Sequence, residues 1–151
     1  MSTDDMDLAR KAYAAFNRGD IGAALQHLDP EIEWHMSDVF ARSPRVFRGH
    51  EGVREVWAMF EESLEEFTAE PVRMHDAGDA ILAEVRLSGR ARGTRESVTF
   101  ELVQAWTIRD GRAIRLEVYA TLKDAWEARG SMPPSSSSDS ISAAGTGREN
   151  R

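Results

Sequence analysis

Apolar positions in the first part of the chain recur with the 3.6-residue period of helices. One apolar face, behind an acidic first turn, repeats at steps of three and four residues as far as Phe16, and Gly19 provides a stop. Asp20 can cap a second short helix, which Pro30 prevents from continuing. A third helix is predicted from Gly49. Its apolar face consists of Val53, Val56, Trp57, Phe60 and Leu64.

After Pro71, apolar and polar residues alternate, which is the two-residue period of strands with one buried face. The alternation is clearest in residues 81–88, 100–109 and 114–120, and an earlier strand is predicted at 31–36. Segments that contain Gly and Asp separate the later strands and suit hairpin turns. Helices followed by consecutive antiparallel strands predict an α+β architecture, in which one side of the sheet is buried.

The composition changes at residue 130. Residues 130–151 are rich in Ser, Pro and Gly, and their large apolar residues are Met132 and Ile141 alone. Two such side chains are too few to offset the conformational entropy lost on ordering the segment. We therefore predict one domain over residues 1–129 and a disordered tail over 130–151.

The overall charge and composition exclude several classes of partner. The net charge is −7, and an acidic surface repels the phosphate backbone of nucleic acids. The absence of cysteine excludes disulfides and thiolate chemistry. The sequence has no apolar run of about eighteen residues, and three aspartates occupy the place of an apolar leader. We expect a cytoplasmic protein that binds neither nucleic acid nor membrane.

Four short motifs occur in order along the chain. They are residues 16–20 (FNRGD), 29–34 (DPEIEW), 47–53 (FRGHEGV) and 106–112 (WTIRDGR). Together with the predicted elements, their order and spacing resemble the nuclear transport factor 2-like superfamily, and within it the SnoaL-like and ketosteroid-isomerase-like branch. The resemblance implies a cone, in which a curved antiparallel sheet wraps around three N-terminal helices and an internal pocket lies inside. It also implies that the outer face of the sheet can pair two subunits.

The resemblance does not carry over the isomerase chemistry. In ketosteroid isomerase an aspartate base moves a proton, while a tyrosine and a protonated aspartic acid bind the enolate oxygen. The base position falls on Met36, the tyrosine position on Ala12 and the acid position on Gln104. Tyr13 adjoins the tyrosine position, but helical spacing turns it off that face. A thioether takes no proton at neutral pH and an amide is not an acid, so steroid isomerisation is not expected.

Two residues near the end of the first strand are the candidate catalytic residues. His35 reaches the base position if the comparison is shifted by one residue, and an imidazole titrates near neutral pH. Alternation nevertheless places His35 on the polar face of the strand, opposite Trp34 and Met36. Asp38 shares the parity of Met36 and could reach the mouth of the pocket. The four histidines lack metal-ligand spacing, so neither a metal nor another cofactor is expected.

The buried faces of the predicted elements, taken with the resemblance, predict the lining of the pocket. The lining residues are Trp34, Met36, Trp57, Phe60, Leu102, Gln104, Trp106, Leu116 and Val118. Gln104 is the polar member, and its amide either orients a ligand or is satisfied by neighbours in a core. The aromatic members either line a cavity or form plain core.

Two functions remain open. The first is proton transfer, of the isomerase or cyclase type, on an apolar carbonyl metabolite, as in SnoaL-like cyclases. The second is a non-catalytic module that binds a small apolar molecule or dimerises, which the missing carboxylate at Met36 favours. Val103, Ala105 and Thr107 make the outer face of the longest strand unusually apolar, which predicts a homodimer. The sequence leaves open whether the protein is an enzyme.

Overall fold

The computed structural model of the protein describes residues 2–36, 45–128 and 130. Four helices and six strands lie in these ranges. In chain order they are α1 (Ser2–Asn17), α2 (Ile21–Leu25), β1 (Leu28–Met36), β2 (Arg45–Arg48), α3 (Gly49–Ser63), β3 (Leu64–Asp76), β4 (Ile81–Ala91), β5 (Ser97–Arg109), β6 (Arg112–Tyr119) and α4 (Leu122–Ala128). The predicted tail lies outside the described residues apart from its first residue.

The strands form one curved, open sheet in the order β2-β1-β6-β5-β4-β3. Neighbouring strands are antiparallel, with the exception of β1 and β6, which run parallel. The parallel pair is possible because α3 and four strands separate β1 from β6 in the chain. The main apolar core lies between the helices α1 and α3 and the inner face of the sheet. The predicted α+β cone is thus confirmed.

Two prolines lie inside strands, where the sequence predicted boundaries. Pro30 belongs to β1, at the place where its pairing with β6 is irregular, between Leu28 and Glu33. Pro71 belongs to the edge strand β3, beside a register shift opposite β4. A proline cannot donate to a sheet ladder, so it is tolerated at such irregular or edge positions. The second helix ends at Leu25, which is earlier than predicted. Leu64 begins β3 instead of extending the third helix.

A second, smaller apolar cluster lies on the outer face of the sheet. There Val103 and Ala105 are buried against Ala125 and Trp126 of α4. Two of the three residues that motivated the homodimer prediction, Val103 and Ala105, are therefore covered by the chain's own helix, whereas Thr107 is half-buried. The homodimer stays a prediction, which sedimentation at micromolar concentration would test.

The end of α1 is tied to β3 by one side-chain amide. Asn17 Nδ2 donates to the carbonyl oxygen of Ala69 at 2.8 Å, and the Ala69 N–H donates to Asn17 Oδ1 at 2.8 Å. Ala69 is buried and lies on the cavity side of β3. Because both backbone groups of Ala69 depend on this amide, Asn17 fixes the position of α1 against the sheet.

We expect Asn17→Ala to lower the free energy of unfolding by about 1–2 kcal/mol, because two backbone groups lose their partner. Urea denaturation measures this loss. Arg18→Ala is the matched control, since Arg18 is the exposed neighbour and should change stability by less than about 0.5 kcal/mol. Equal effects of the two substitutions would contradict the role given to Asn17.

No helix in the described part of the chain is both long and apolar enough to cross a membrane. Among the same residues, no group of three His, Asp or Glu side chains is arranged to hold a metal ion.

Candidate functional site

A cavity lies inside the cone, between α1, α3 and the inner face of the sheet. Its volume is about 30 Å³, which is the space of one or two water molecules. Pockets that enclose a drug-sized ligand are about ten times larger. The residues around it are Tyr13, Phe16, Trp34, Met36, Val56, Trp57, Phe60, Phe67, Ala69, Leu87, Leu102, Gln104, Trp106 and Val118.

Eight of the nine residues predicted to line a pocket border this cavity. The exception is Leu116, which is fully buried in the core and does not border the cavity. Sequence reasoning missed the other six lining residues, which are Tyr13, Phe16, Val56, Phe67, Ala69 and Leu87. The prediction that helical spacing turns Tyr13 off the pocket face was wrong, since Tyr13 is buried and lines the cavity. Ala9, Ala12, Tyr13 and Phe16 are separated by the steps of three and four that mark one helix face, so the signal was available.

Four rings form an aromatic wall on one side of the cavity: Phe16, Trp57, Phe60 and Phe67. Phe16 stacks on Trp57 with ring centroids 4.8 Å apart, and Phe60 stacks on Phe67 at 4.9 Å. Trp57 and Phe67 complete the row at 5.0 Å. Phe16 is buried, whereas the other three rings are only partly buried. The aromatic wall is therefore the side of the cavity nearest to solvent.

A β-bulge places Phe67 in the aromatic wall. The pairing of β3 with β4 shifts between Glu65 and Thr68, and Glu66 has a φ of 54°. The extra residue of a bulge redirects the side chains beside it. Gly89 lies opposite, where an added Cβ would stand 3.0 Å from the Glu65 carbonyl oxygen. Because the pattern of alternation does not show a bulge, the sequence did not predict this position of Phe67.

Three side chains form a polar triad on the cavity wall: Trp106, Tyr13 and Gln104. Trp106 Nε1 donates to the Tyr13 hydroxyl at 2.9 Å, and that hydroxyl donates to Gln104 Oε1. The rings of Tyr13 and Trp106 also meet edge to face, with centroids 5.3 Å apart. Burial raises the pKa of Tyr13 far above its ordinary value of 10.0, although the hydrogen bond from Trp106 opposes part of that rise. Tyr13 is therefore neutral at physiological pH.

Trp34 borders the same cavity from β1. Its side chain is almost completely buried, with 6% exposed. The indole Nε1 has no hydrogen-bond partner among the residues that the structure describes. A buried donor without an acceptor costs free energy. This N–H can therefore donate to a ligand that supplies an acceptor.

Of the two candidate catalytic residues, the structure describes His35 alone, and His35 does not border the cavity. His35 lies on the opposite face of β1 from Trp34 and Met36, and its Nε2 is 3.0 Å from Glu33 Oε1. Asp38 lies outside the described residues. Among the described residues around the cavity, Tyr13 is the one titratable side chain.

Glu33 is the centre of a charged cluster on the outer face of β1. Its carboxylate contacts His35 at 3.0 Å, Arg48 at 2.7 Å and Arg115 at 3.7 Å. The hydrogen bond from His35, followed by that from Arg48, lowers the pKa of Glu33 below its ordinary value of 4.5. The folded state therefore binds this proton less readily than the unfolded state. The resulting stability is present above about pH 4.5 and is lost as the pH falls through the folded pKa.

We expect Glu33→Gln to lower the free energy of unfolding at pH 7, and to make its decline between about pH 5 and pH 3 shallower. Chemical denaturation at a series of pH values measures both effects. Glu31→Gln, at an exposed position of the same strand, is the matched control. A wild-type acid profile in both variants would contradict the role of Glu33.

A family model for the SnoaL-like domain matches residues 9–116, which is more than half of the chain. The protein belongs to the SnoaL-like domain family. No curated protein matches it.

Solved structures agree with the fold. An NTF2-like protein from Burkholderia thailandensis is 26% identical, with a TM-score of 0.66 over 84% of this chain and 96% of that one. TerC, co-crystallised with polyporic acid, is 23% identical, with a TM-score of 0.69 over 85% and 99%. A putative polyketide cyclase from Sinorhizobium meliloti is 25% identical, with a TM-score of 0.59 over 74% and 93%.

Proposed function

We propose that this SnoaL-like protein binds an apolar small molecule in the cavity of its cone. The observation that carries the proposal is the composition of the cavity wall. Its side chains are apolar or aromatic except at the polar triad, and Gln104 is the one buried polar or charged side chain among the described residues. An apolar enclosure with a few convergent polar groups is typical of small-molecule sites.

A ligand larger than water has to widen the cavity, and the aromatic wall is where the structure can yield. Trp57, Phe60 and Phe67 are only partly buried, so turning them outward costs less packing than moving a core side chain. The bound ligand then replaces the ring contacts that are lost. Two similar structures support this use of the fold, since one contains polyporic acid and another is described as a putative polyketide cyclase.

Ligand-induced stabilisation tests the proposal, with indene and polyporic acid as probes. We expect each bound probe to raise the melting temperature, because a ligand that binds the folded state stabilises it. Val118→Phe fills the cavity and should abolish the rise. Val46→Phe adds the same atoms at an exposed position and should keep it. No rise with either probe, or an undiminished rise in Val118→Phe, would contradict binding in this cavity.

Proton transfer is the second candidate function. It stays a candidate because Met36, which lies on the cavity wall, is close in sequence to a carboxylate. Asp38 follows two residues later and carries the carboxylate that the described wall lacks. Tyr13 cannot serve as the base, because burial keeps it protonated. Proton transfer therefore depends on Asp38 in this proposal.

Deuterium exchange at the α-carbon of 1-indanone separates the two functions. An enzyme should exchange it faster than buffer does, and Asp38→Asn should abolish that excess, since the amide cannot accept the proton. His35→Ala is the matched control and should leave the rate unchanged, because His35 faces away from the cavity. Exchange at the buffer rate with bound 1-indanone would contradict proton transfer on this ligand.

A further inference from the structure

We infer that the cavity selects ligands whose polar group accepts a hydrogen bond, such as a ketone or quinone carbonyl, and that Tyr13 sets this preference by fixing the orientation of the Gln104 amide. The inference rests on the proposed function. It assigns Gln104 as the ligand's polar contact and Tyr13 as a positioning residue that acts through it.

The order of donors and acceptors in the polar triad follows from the chemistry of its groups. An indole N–H can only donate, so the Tyr13 oxygen, 2.9 Å from Trp106 Nε1, is the acceptor of that bond. The hydroxyl has one proton of its own, which is directed to its other neighbour, Gln104. That neighbour must present an acceptor, so the amide oxygen faces Tyr13. The amide nitrogen then points away from the triad.

The groups left over for a ligand are donors. Within the described residues, the Gln104 side chain has the Tyr13 hydroxyl as its hydrogen-bond partner, which leaves the two N–H groups of its amide. Trp34, which also borders the cavity, supplies a buried indole N–H without an acceptor in the described part of the chain. The amide oxygen and the Tyr13 oxygen are already engaged. A carbonyl can therefore bind to free N–H groups, whereas a ligand that only donates has to share the amide oxygen with the Tyr13 hydroxyl.

The order of the triad is stable across ordinary pH. Tyr13 and Gln104 are both buried, and burial raises the pKa of Tyr13, so the hydroxyl keeps the proton that it donates. The preference for an acceptor is therefore a property of the folded wall and not of a particular pH.

Three bicyclic probes of similar size test the inference: indene has no polar group, 1-indanone only accepts hydrogen bonds, and indole only donates. Dissociation constants, measured by calorimetry, should favour 1-indanone over indole by about five- to tenfold in the wild type, as one hydrogen bond predicts. In Gln104→Met this preference should fall, because the amide N–H groups are lost, and indene measures any change in affinity that all three probes share. In Tyr13→Phe the amide is free to turn, so the preference should fall towards one.

The pattern across probes separates positioning from structure. A merely structural effect of Tyr13→Phe would weaken all three probes alike and leave their ratios unchanged, which would overturn the role of Tyr13. A wild-type preference that survives in Gln104→Met would overturn Gln104 as the polar contact. Failure of indene and both other probes to bind would instead overturn the proposed function.

Nuclear magnetic resonance keeps the inference testable if Tyr13→Phe does not fold. In wild-type protein the side-chain amide protons of Gln104 should shift strongly when 1-indanone binds, and much less with indene. Equal shifts with the two probes would overturn the assignment of Gln104 as the donor.

Discussion

Trp106→Ala is expected to lower the free energy of unfolding by about 3–5 kcal/mol, the largest effect that we predict for a single substitution. The side chain is 1% exposed and lies in the main core on β5. Removing it enlarges the existing cavity and deletes the edge-to-face contact with Tyr13. It also removes the hydrogen bond that the Tyr13 hydroxyl accepts from the indole N–H. Equilibrium denaturation in urea, followed by circular dichroism, measures the change.

Trp57→Ala is the matched control, because the same substitution is made at a second tryptophan beside the same cavity. Periodicity alone places Trp57 in the core of α3 and predicts a comparable loss. In the structure Trp57 is only partly buried, and its contacts are with Phe16 and Phe67 of the aromatic wall. We therefore expect a smaller loss of roughly 2 kcal/mol. A loss in Trp57→Ala that equals or exceeds that in Trp106→Ala would contradict this assignment of the two side chains.

Gly52→Ala is expected to destabilise the protein by about 1–3 kcal/mol, although alanine is the better helix former by about 1 kcal/mol. Gly52 lies inside α3, against the strand that precedes the helix. An added Cβ would stand 2.8 Å from the carbonyl carbon of Phe47 and 3.1 Å from its Cβ. The backbone of β2 would have to move away from α3, together with the buried Phe47 side chain.

Gly22→Ala tests the opposite case in α2. Apart from the two chain neighbours of Gly22 and the backbone of α2, the nearest atom to an added Cβ would be Asp20 Oδ1 at 3.8 Å, which is an ordinary contact. This substitution should be neutral or stabilising by up to about 1 kcal/mol. The midpoints and slopes of urea denaturation compare the two variants. Stabilisation of both would show that α3 does not approach β2 as closely as described.

Periodicity predicted the parts of the fold in which one face of a helix or strand is buried along its whole length. Residues 81–88 and 100–109 alternate because one side of the sheet is buried, and β4 and β5 include both ranges. The same alternation placed Trp34 and Met36 on the face that borders the cavity and His35 on the other. It could not predict β3 upstream of Pro71, where a bulge and a register shift interrupt the period.

The sequence by itself determined the α+β architecture and the faces of its main strands, since both depend on burial that repeats locally along the chain. The cone and most of the apolar lining were predicted from these faces together with the resemblance to the SnoaL-like branch. Only the tertiary structure decided how the wall is completed. Tyr13 contacts Gln104, which is 91 positions away in the sequence. In the same way α4 covers Val103 and Ala105, which the sequence pattern had assigned to contact with a second subunit. Such pairings have no local signature, because they arise where elements distant in sequence pack together. The polar chemistry of the cavity is therefore a property of the packing of α1 against β5.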